Sequence, residues 1–185
     1  MKKIAYLSTL LFVVAASPAF AQSPYYGSIK GIYVPGQDVG SRDYDNGWGV
    51  GLALGKNIGP NVRTEAELFH IQSDVDAPGG GKLRLSSAMA NMYYDVPTGT
   101  AVTPYVGAGL GGIYGEATSN GLTDDDDFGF GYQFMAGANV TLGNGHAFYA
   151  GYRYLDGTDL DVSGGRDVQL GSHNVEAGYR IPFAM

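Results

Sequence analysis

The 185-residue sequence contains no cysteine. Disulfide scaffolds, zinc knuckles and thiol nucleophiles are therefore excluded. Charge is also scarce, at 16% of residues, against the ~25% usual for soluble domains. Basic residues are fewer than acidic ones, 11 against 18, for a net charge of −7. That balance argues against nucleic acid as a partner, because phosphate backbones attract basic surfaces. No apolar run approaches the roughly 20 residues a membrane-spanning helix needs. Two further classes fall away. Aromatic content of 12% is too high for a chain that avoids burying apolar surface. The 30 glycines show no three-residue period, which excludes a collagen-like fibre.

The N-terminal segment reads as an address. Lys2 and Lys3 precede an apolar run from Ile4 to Ala16, Ser17 and Pro18 break it, and Ala19-Phe20-Ala21 offers a small-x-small cleavage site. This is the order of a secretory signal. Residues 1–21 are thus expected to be a cleaved signal peptide. Residues 22–185, starting at Gln22, form one exported domain.

The mature chain has a dominant period of two. From Phe128 the residues Phe128, Phe130, Tyr132, Phe134, Ala136, Ala138 and Val140 alternate with Gly129, Gly131, Gln133, Met135, Gly137 and Asn139. At the end, Val175, Ala177, Tyr179, Ile181 and Phe183 alternate with Asn174, Glu176, Gly178, Arg180 and Pro182. One face is apolar and aromatic; the other is small or polar. A lipid-facing exterior around a narrow, side-chain-filled interior explains both.

Eight strand segments are legible, near 25–34, 47–56, 62–72, 83–96, 104–115, 128–141, 147–155 and 172–183. Long connections (35–46, 73–82, 116–127, 156–171) alternate with short ones carrying turn signals, such as Pro97-Thr98-Gly99-Thr100 and Gly143-Asn144-Gly145. Of the 18 acidic residues only Glu65, Glu67, Asp95 and Glu176 fall outside the long connections. Tyr25, Tyr93, Tyr94, Tyr105, Tyr152, Tyr154 and Tyr179 lie toward strand ends and suit an interfacial aromatic girdle. The predicted fold is all-β: an eight-stranded antiparallel up-and-down transmembrane β-barrel. Parity then points Lys30, Arg63, Glu65, Glu67, Asn91, Asp95, Gln133, Asn139, Arg153, Glu176 and Arg180 into the lumen. Arg153, Glu176 and Glu67, with Lys30 at similar depth, are expected to form a closed central network, because a buried charge has to be paired.

Several motifs suggest chemistry that their context does not support. Gly107-Ala-Gly-Leu-Gly-Gly112 satisfies G-x-G-x-x-G, but it lies in strand periodicity with no helix or acidic partner following. Asp159-Leu-Asp-Val-Ser-Gly164 resembles half of a calcium loop, but its twelfth position is Leu170. Asp124, Asp125, Asp126 and Asp127 read as a solvated loop or as ligands for Ca²⁺ or Mg²⁺. Ser172-His173 near Glu176 has the residue types for acyl transfer, but Glu176 falls on the opposite strand face.

The stretches Pro104-Tyr-Val-Gly-Ala-Gly-Leu-Gly111, Tyr132-Gln-Phe-Met-Ala-Gly137, Gly151-Tyr-Arg-Tyr-Leu155 and Gly178-Tyr-Arg-Ile-Pro-Phe183 resemble strands of the opacity-type, OmpA-like "porin family" outer-membrane β-barrels. The resemblance covers the whole mature chain. It implies a barrel in the Gram-negative outer membrane, inserted by the outer-membrane assembly machinery through a terminal signal carried by Tyr179, Ile181 and Phe183. Such chains usually end on an aromatic residue, whereas here Ala184 and Met185 follow Phe183. The expected function is a non-enzymatic surface protein without a cofactor. Its polar lumen would be plugged, and its four acidic loops would face lipopolysaccharide, divalent cations or a host partner. A small-solute channel and a lipid A-modifying enzyme are the alternatives.

Overall fold

The period-two pattern builds strands almost throughout. A computed structural model describes residues 24–39, 42–76, 81–119, 122–158 and 171–183. Its strands are β1 (Tyr25–Val34), β2 (Gln37–Val39), β3 (Arg42–Asn57), β4 (Val62–Asp76), β5 (Gly81–Asp95), β6 (Val102–Ser119), β7 (Leu122–Thr141), β8 (Ala147–Gly157) and β9 (Ser172–Phe183). One 3-10 turn, Gly143–Gly145, joins β7 to β8. Among the described residues there is no α-helix. The signal segment 1–21 lies outside them.

From β2 to β9 consecutive strands pair antiparallel, and β1 pairs with both β3 and β9, so the sheet closes on itself. The short β2 prolongs β1 along the same edge of β3, with Gln37 opposite Tyr44 just beyond Val34 opposite Gly47. The result is a closed eight-stranded, all-antiparallel barrel. Its strands are staggered. Tyr25 faces Lys56, which leads in turn through Thr64, Met92, Ala108, Phe134 and Tyr154 to His173. Because Tyr33 faces Val175 across the closing seam, His173 comes level with position 35 rather than 25. A stagger of this size on eight strands tilts them steeply and leaves an interior that side chains can fill.

The short connections lie at one end of the barrel. Asn144 and Gly145 carry φ of 64° and 76°, and Gly99 carries 69°. These are left-handed positions that glycine and asparagine take readily. Thr98 Oγ1 donates to the Val102 carbonyl at 2.6 Å and ties the second turn.

The outward residues are large and apolar. Trp48, Leu52, Leu54, Leu68, Phe128 and Phe134 are all more than half exposed, as a lipid-facing wall requires. Inside, the face read as small or polar also carries large apolar residues, which is a correction. Ile32, Phe69, Ile71, Leu85, Met89, Ile113 and Leu155 form an apolar layer in the half of the lumen away from the turns. These residues share parity with the polar set: Ile32 follows Lys30 by two positions, Phe69 follows Glu67 and Leu155 follows Arg153.

A second correction concerns tyrosine. Tyr93 and Tyr105, expected on the interfacial girdle, are 3% exposed and lie in the lumen with Tyr26 and Tyr149. Glycines on facing strands make room for them. A Cβ at Gly107 would overlap the Tyr93 ring, one at Gly55 the Tyr26 ring, and one at Gly178 the Tyr149 ring. A third correction concerns strand length. Pairing continues into the expected connections 73–82 and 116–127, with Glu116 opposite Asp126 and Gly115 opposite Asp127. The Asp124–Asp127 run is thus on β7 rather than in a loop. Aspartate disfavours strands locally, but the hairpin ladder carries the backbone on.

The fit of the interior predicts a contrast between two glycines. At Gly137 a Cβ would meet the Ala150 carbonyl and the Gly151 Cα of the neighbouring strand. Gly137→Val should destabilise the barrel by about 1–3 kcal/mol, the usual effect of overpacking. At outward Gly31 a Cβ would meet nothing within 4 Å, so Gly31→Ala should leave stability unchanged. Urea unfolding followed by the fluorescence of Trp48, the single tryptophan, reads both.

Candidate functional site

The lumen collects the chain's buried polar groups because alternate residues of every strand must point inward. β1 contributes Lys30, β4 contributes Arg63, Glu65 and Glu67, and β5 contributes Asn91 and Asp95. β7 adds Gln133 and Asn139, β8 adds Arg153, and β9 adds Glu176 and Arg180. Arg180 and Asp95 are partly buried and the other nine are buried. They sort into two networks.

The central network joins β1, β4, β5, β7, β8 and β9. Lys30 Nζ lies 2.7 Å from Glu67 Oε1 and 3.7 Å from Glu176 Oε2. Arg153 Nη2 lies 2.7 Å from Glu67 Oε1 and 2.6 Å from Glu176 Oε2. Arg153 Nη1 donates to Gln133 Oε1 at 2.9 Å. Gln133 Nε2 donates to Asn91 Oδ1 at 2.7 Å, and Asn91 Nδ2 donates to Glu67 Oε2 at 2.6 Å. Two cations and two carboxylates thus neutralise one another, with the amides filling the remaining positions. The side chains of all four charged residues are at most 1% exposed. The Arg153 guanidinium also lies over the Phe69 ring, 4.9 Å from its centroid.

The second network lies nearer the turns. Arg63 Nη1 is 2.6 Å from Glu65 Oε1, and its Nε is 3.1 Å from Asp95 Oδ2. Tyr26 OH donates to Glu65 Oε1 at 2.8 Å. Asn139 Nδ2 donates to Asp95 Oδ1 at 3.2 Å, while Asn139 Oδ1 accepts from Arg180 Nη2 at 3.3 Å. Arg63 stacks on Tyr93 at 3.8 Å and Arg180 on Tyr26 at 4.6 Å. Beyond this network the lumen opens at the turn end into a cavity of about 270 Å³, lined among others by Tyr26, Asp95, Thr103, Asn139 and Arg180.

Sequence reasoning left out the inward Tyr26, Ser28, Ser87 and Tyr149, for which parity with Lys30, Asn91 and Arg153 was the available signal.

The other candidate residues stand apart from the lumen. The side chains of Asp124, Asp125 and Asp126 lie outside the described residues, as does the calcium-like stretch 159–164. Asp127 Oδ1 accepts from the Phe128 amide at 2.8 Å. Gly107–Gly112 belongs to β6 and pairs on both sides, so no helix opens there. His173 is on the outer surface, where its Nδ1 meets the Tyr152 hydroxyl and its ring packs against Tyr154. Ser172 Oγ instead donates to Asn174 Oδ1 at 3.1 Å, and Glu176 points into the lumen. Of the terminal trio, Tyr179 bonds His146 Nδ1 at 2.9 Å and packs on Phe148, Ile181 faces outward, and Phe183 stacks on Tyr25.

The central network has a stability signature. Arg153→Ala would leave Glu67 and Glu176 facing Lys30 alone, two negative charges against one positive. Removing one member of a buried ion pair costs about 3–5 kcal/mol, so the unfolding midpoint in urea should fall clearly. Adding Glu176→Gln to that variant restores charge balance and should recover part of the loss. A double variant no more stable than the single one would contradict the charge accounting.

Three comparisons place this geometry among known proteins. A sequence model described as "Outer membrane protein beta-barrel domain" matches residues 7–180. Uncharacterized proteins of Brucella abortus (strain 2308) and Brucella suis biovar 1 (strain 1330) are each 26% identical over 157 residues, covering 66% of this chain and 55% of theirs. The chain thus spans about half the length of the curated relatives it matches. Neisserial surface protein A superposes with a TM-score of 0.71 at 19% identity, covering 89% of this chain and 100% of that one. Ail, the attachment invasion locus protein of Yersinia pestis, superposes with a TM-score of 0.54 at 18% identity, covering 86% and 99%. OprG of Pseudomonas aeruginosa does so with a TM-score of 0.54 at 16% identity, covering 89% and 98%. At these identities the structural likeness is one of fold. The closed barrel and the match over nearly the whole chain together assign it: the chain belongs to the outer membrane protein β-barrel domain family of the Gram-negative outer membrane.

Proposed function

We propose that the protein is a non-enzymatic surface barrel whose lumen is plugged. In this reading the wall contributes to envelope integrity, and the acidic loop end contacts lipopolysaccharide, divalent cations or an external partner. The observation that carries it is the central network: Arg153, Glu176 and Lys30 on the adjacent strands β8, β9 and β1 meet Glu67 of β4 across the lumen, with no exposed charge left over among the four. Oppositely charged groups locked together fill a narrow barrel; a conducting pore needs its charges spread along a water-filled wall.

Outer-membrane barrels carry short turns on the periplasmic side and longer loops outside. The acidic run Asp124–Asp127, at the start of β7, therefore belongs to the extracellular end of the barrel. Loops on a rigid scaffold commonly carry binding, and two structural neighbours are described as a surface protein and an attachment invasion locus protein. Acyl-transfer chemistry needs a nucleophile, a base and an orienting acid within reach of one another. Among the described residues, Ser172 and His173 have other partners, and Glu176 lies on the far side of the wall.

Planar-bilayer recording of the folded protein tests the plug. A silent or rarely flickering barrel is expected. Large, steady openings would overturn the plugged reading in favour of a small-solute channel.

A further inference from the structure

We infer that the lumen is a water-filled pocket open only to the periplasm, and that the apolar layer beyond the ion network, rather than the network itself, is what seals it. This rests on the plugged reading and adds which layer closes the barrel and from which side water enters.

The first observation is the mouth. The cavity at the turn end is bordered by Tyr26 and Arg180, whose strand neighbours reach deeper inside. Ser28 is the next inward residue after Tyr26 on β1, and it sits directly opposite Arg180 on β9.

The second is a set of buried polar atoms short of protein partners: Tyr105 OH and Arg180 Nε have none, and Ser28 Oγ and Tyr149 OH have only each other. All belong to the turn side of the central network. Ser28 lies two residues turnward of Lys30, Tyr149 four turnward of Arg153, and Arg180 four turnward of Glu176. Tyr105 lies near the turn end of β6, with its ring end against Gly137. Buried hydroxyls and N–H groups in folded proteins are satisfied by protein or by water. A polar space next to an open mouth offers water both entry and several partners. The ligand this half of the lumen takes is therefore water, and with it small hydrated ions.

The third is the opposite half. Immediately beyond Lys30, Glu67 and Arg153 on their strands stand Ile32, Phe69 and Leu155, with Ile113 among them, all at most 4% exposed. Apolar packing of this kind stays dry. Ser87 is embedded here, opposite Phe69 on one side and Ile113 on the other. Its Oγ also has no protein partner, and it is 7% exposed, the same as Ser28. The two serines thus match in type and burial. They differ in which side of the ion network they occupy.

That pair gives a clean test, because the chain has no native thiol. Ser28→Cys and Ser87→Cys are made separately, and folding is verified by heat-modifiable gel mobility. Each folded barrel in detergent micelles, with both ends in water, is exposed to silver ion. The thiol that survives is counted with a maleimide after denaturation. Ser28→Cys should be consumed about a hundredfold faster, since a site inside a packed apolar layer reacts only through local opening. Comparable rates would overturn the inference. If both are slow in a barrel that is silent in bilayers, the plug stands and the water pocket does not exist. If both are fast and the barrel conducts, the plugged reading itself has failed. A second measurement needs no variant: water-to-protein NMR cross-peaks are expected at the Tyr105 and Tyr149 rings and not at Leu155 or Ile113. Their absence at the tyrosines would overturn the inference as well.

Discussion

A wall that stands in hydrocarbon must satisfy every backbone N–H and C=O within itself, because no water is available to do so. For a chain of strands the solution is closure, and the β1–β9 seam supplies it. Closing eight strands also requires the stagger that runs around this barrel, and the stagger sets the interior width. The rest of the molecule follows from that narrow interior. Half of all strand residues point into a narrow space in which buried charges have to be paired.

The interior meets this constraint in layers. Near the turns, guanidinium groups lie on tyrosine faces and bond carboxylates, with Arg63 serving Glu65 and Asp95 together. In the middle, Arg153 and Lys30 share the carboxylates of Glu67 and Glu176. Toward the loop end the layer is apolar. The glycines serve as recesses in this scheme. Gly51 stands against the Lys30 stem, and Gly109 stands where any larger residue would displace the Asn91 amide. Small residues on one strand thus admit long ones from its neighbours, which is how a narrow barrel holds four tyrosines and four cations at once.

Such an interior separates two properties that are easily merged. The ion network is a matter of stability and register: its charges need one another, and removing one strands the others. Permeability is a separate matter of whether water can pass. The outer surface has its own order, with Tyr152, Tyr154 and His173 grouped where β8 and β9 approach the loop end, as expected of aromatic residues at a membrane interface.

Much of this was legible in the residues. Side-chain alternation has a period of two, so a run such as Phe128 to Val140 shows which residues face lipid. The same parity put Lys30, Glu67, Arg153 and Glu176 on the inner face before any contact was known. Turn residues such as Asn144 and Gly145 marked the short connections because few residues accept a left-handed backbone. Parity cannot tell how far along the axis a residue sits, since that depends on the stagger accumulated through seven neighbouring strands. Only the tertiary structure therefore decided that polar and apolar inward residues form separate layers. It also decided that Tyr93 and Tyr105 fill the lumen, because glycines on partner strands leave space that their own sequence neighbourhood does not reveal. The same reason explains the Asp124–Asp127 run. Local propensity reads it as a loop, whereas the ladder with β6 extends it as a strand, because hydrogen bonds to a partner outweigh the weak preference of an aspartate backbone.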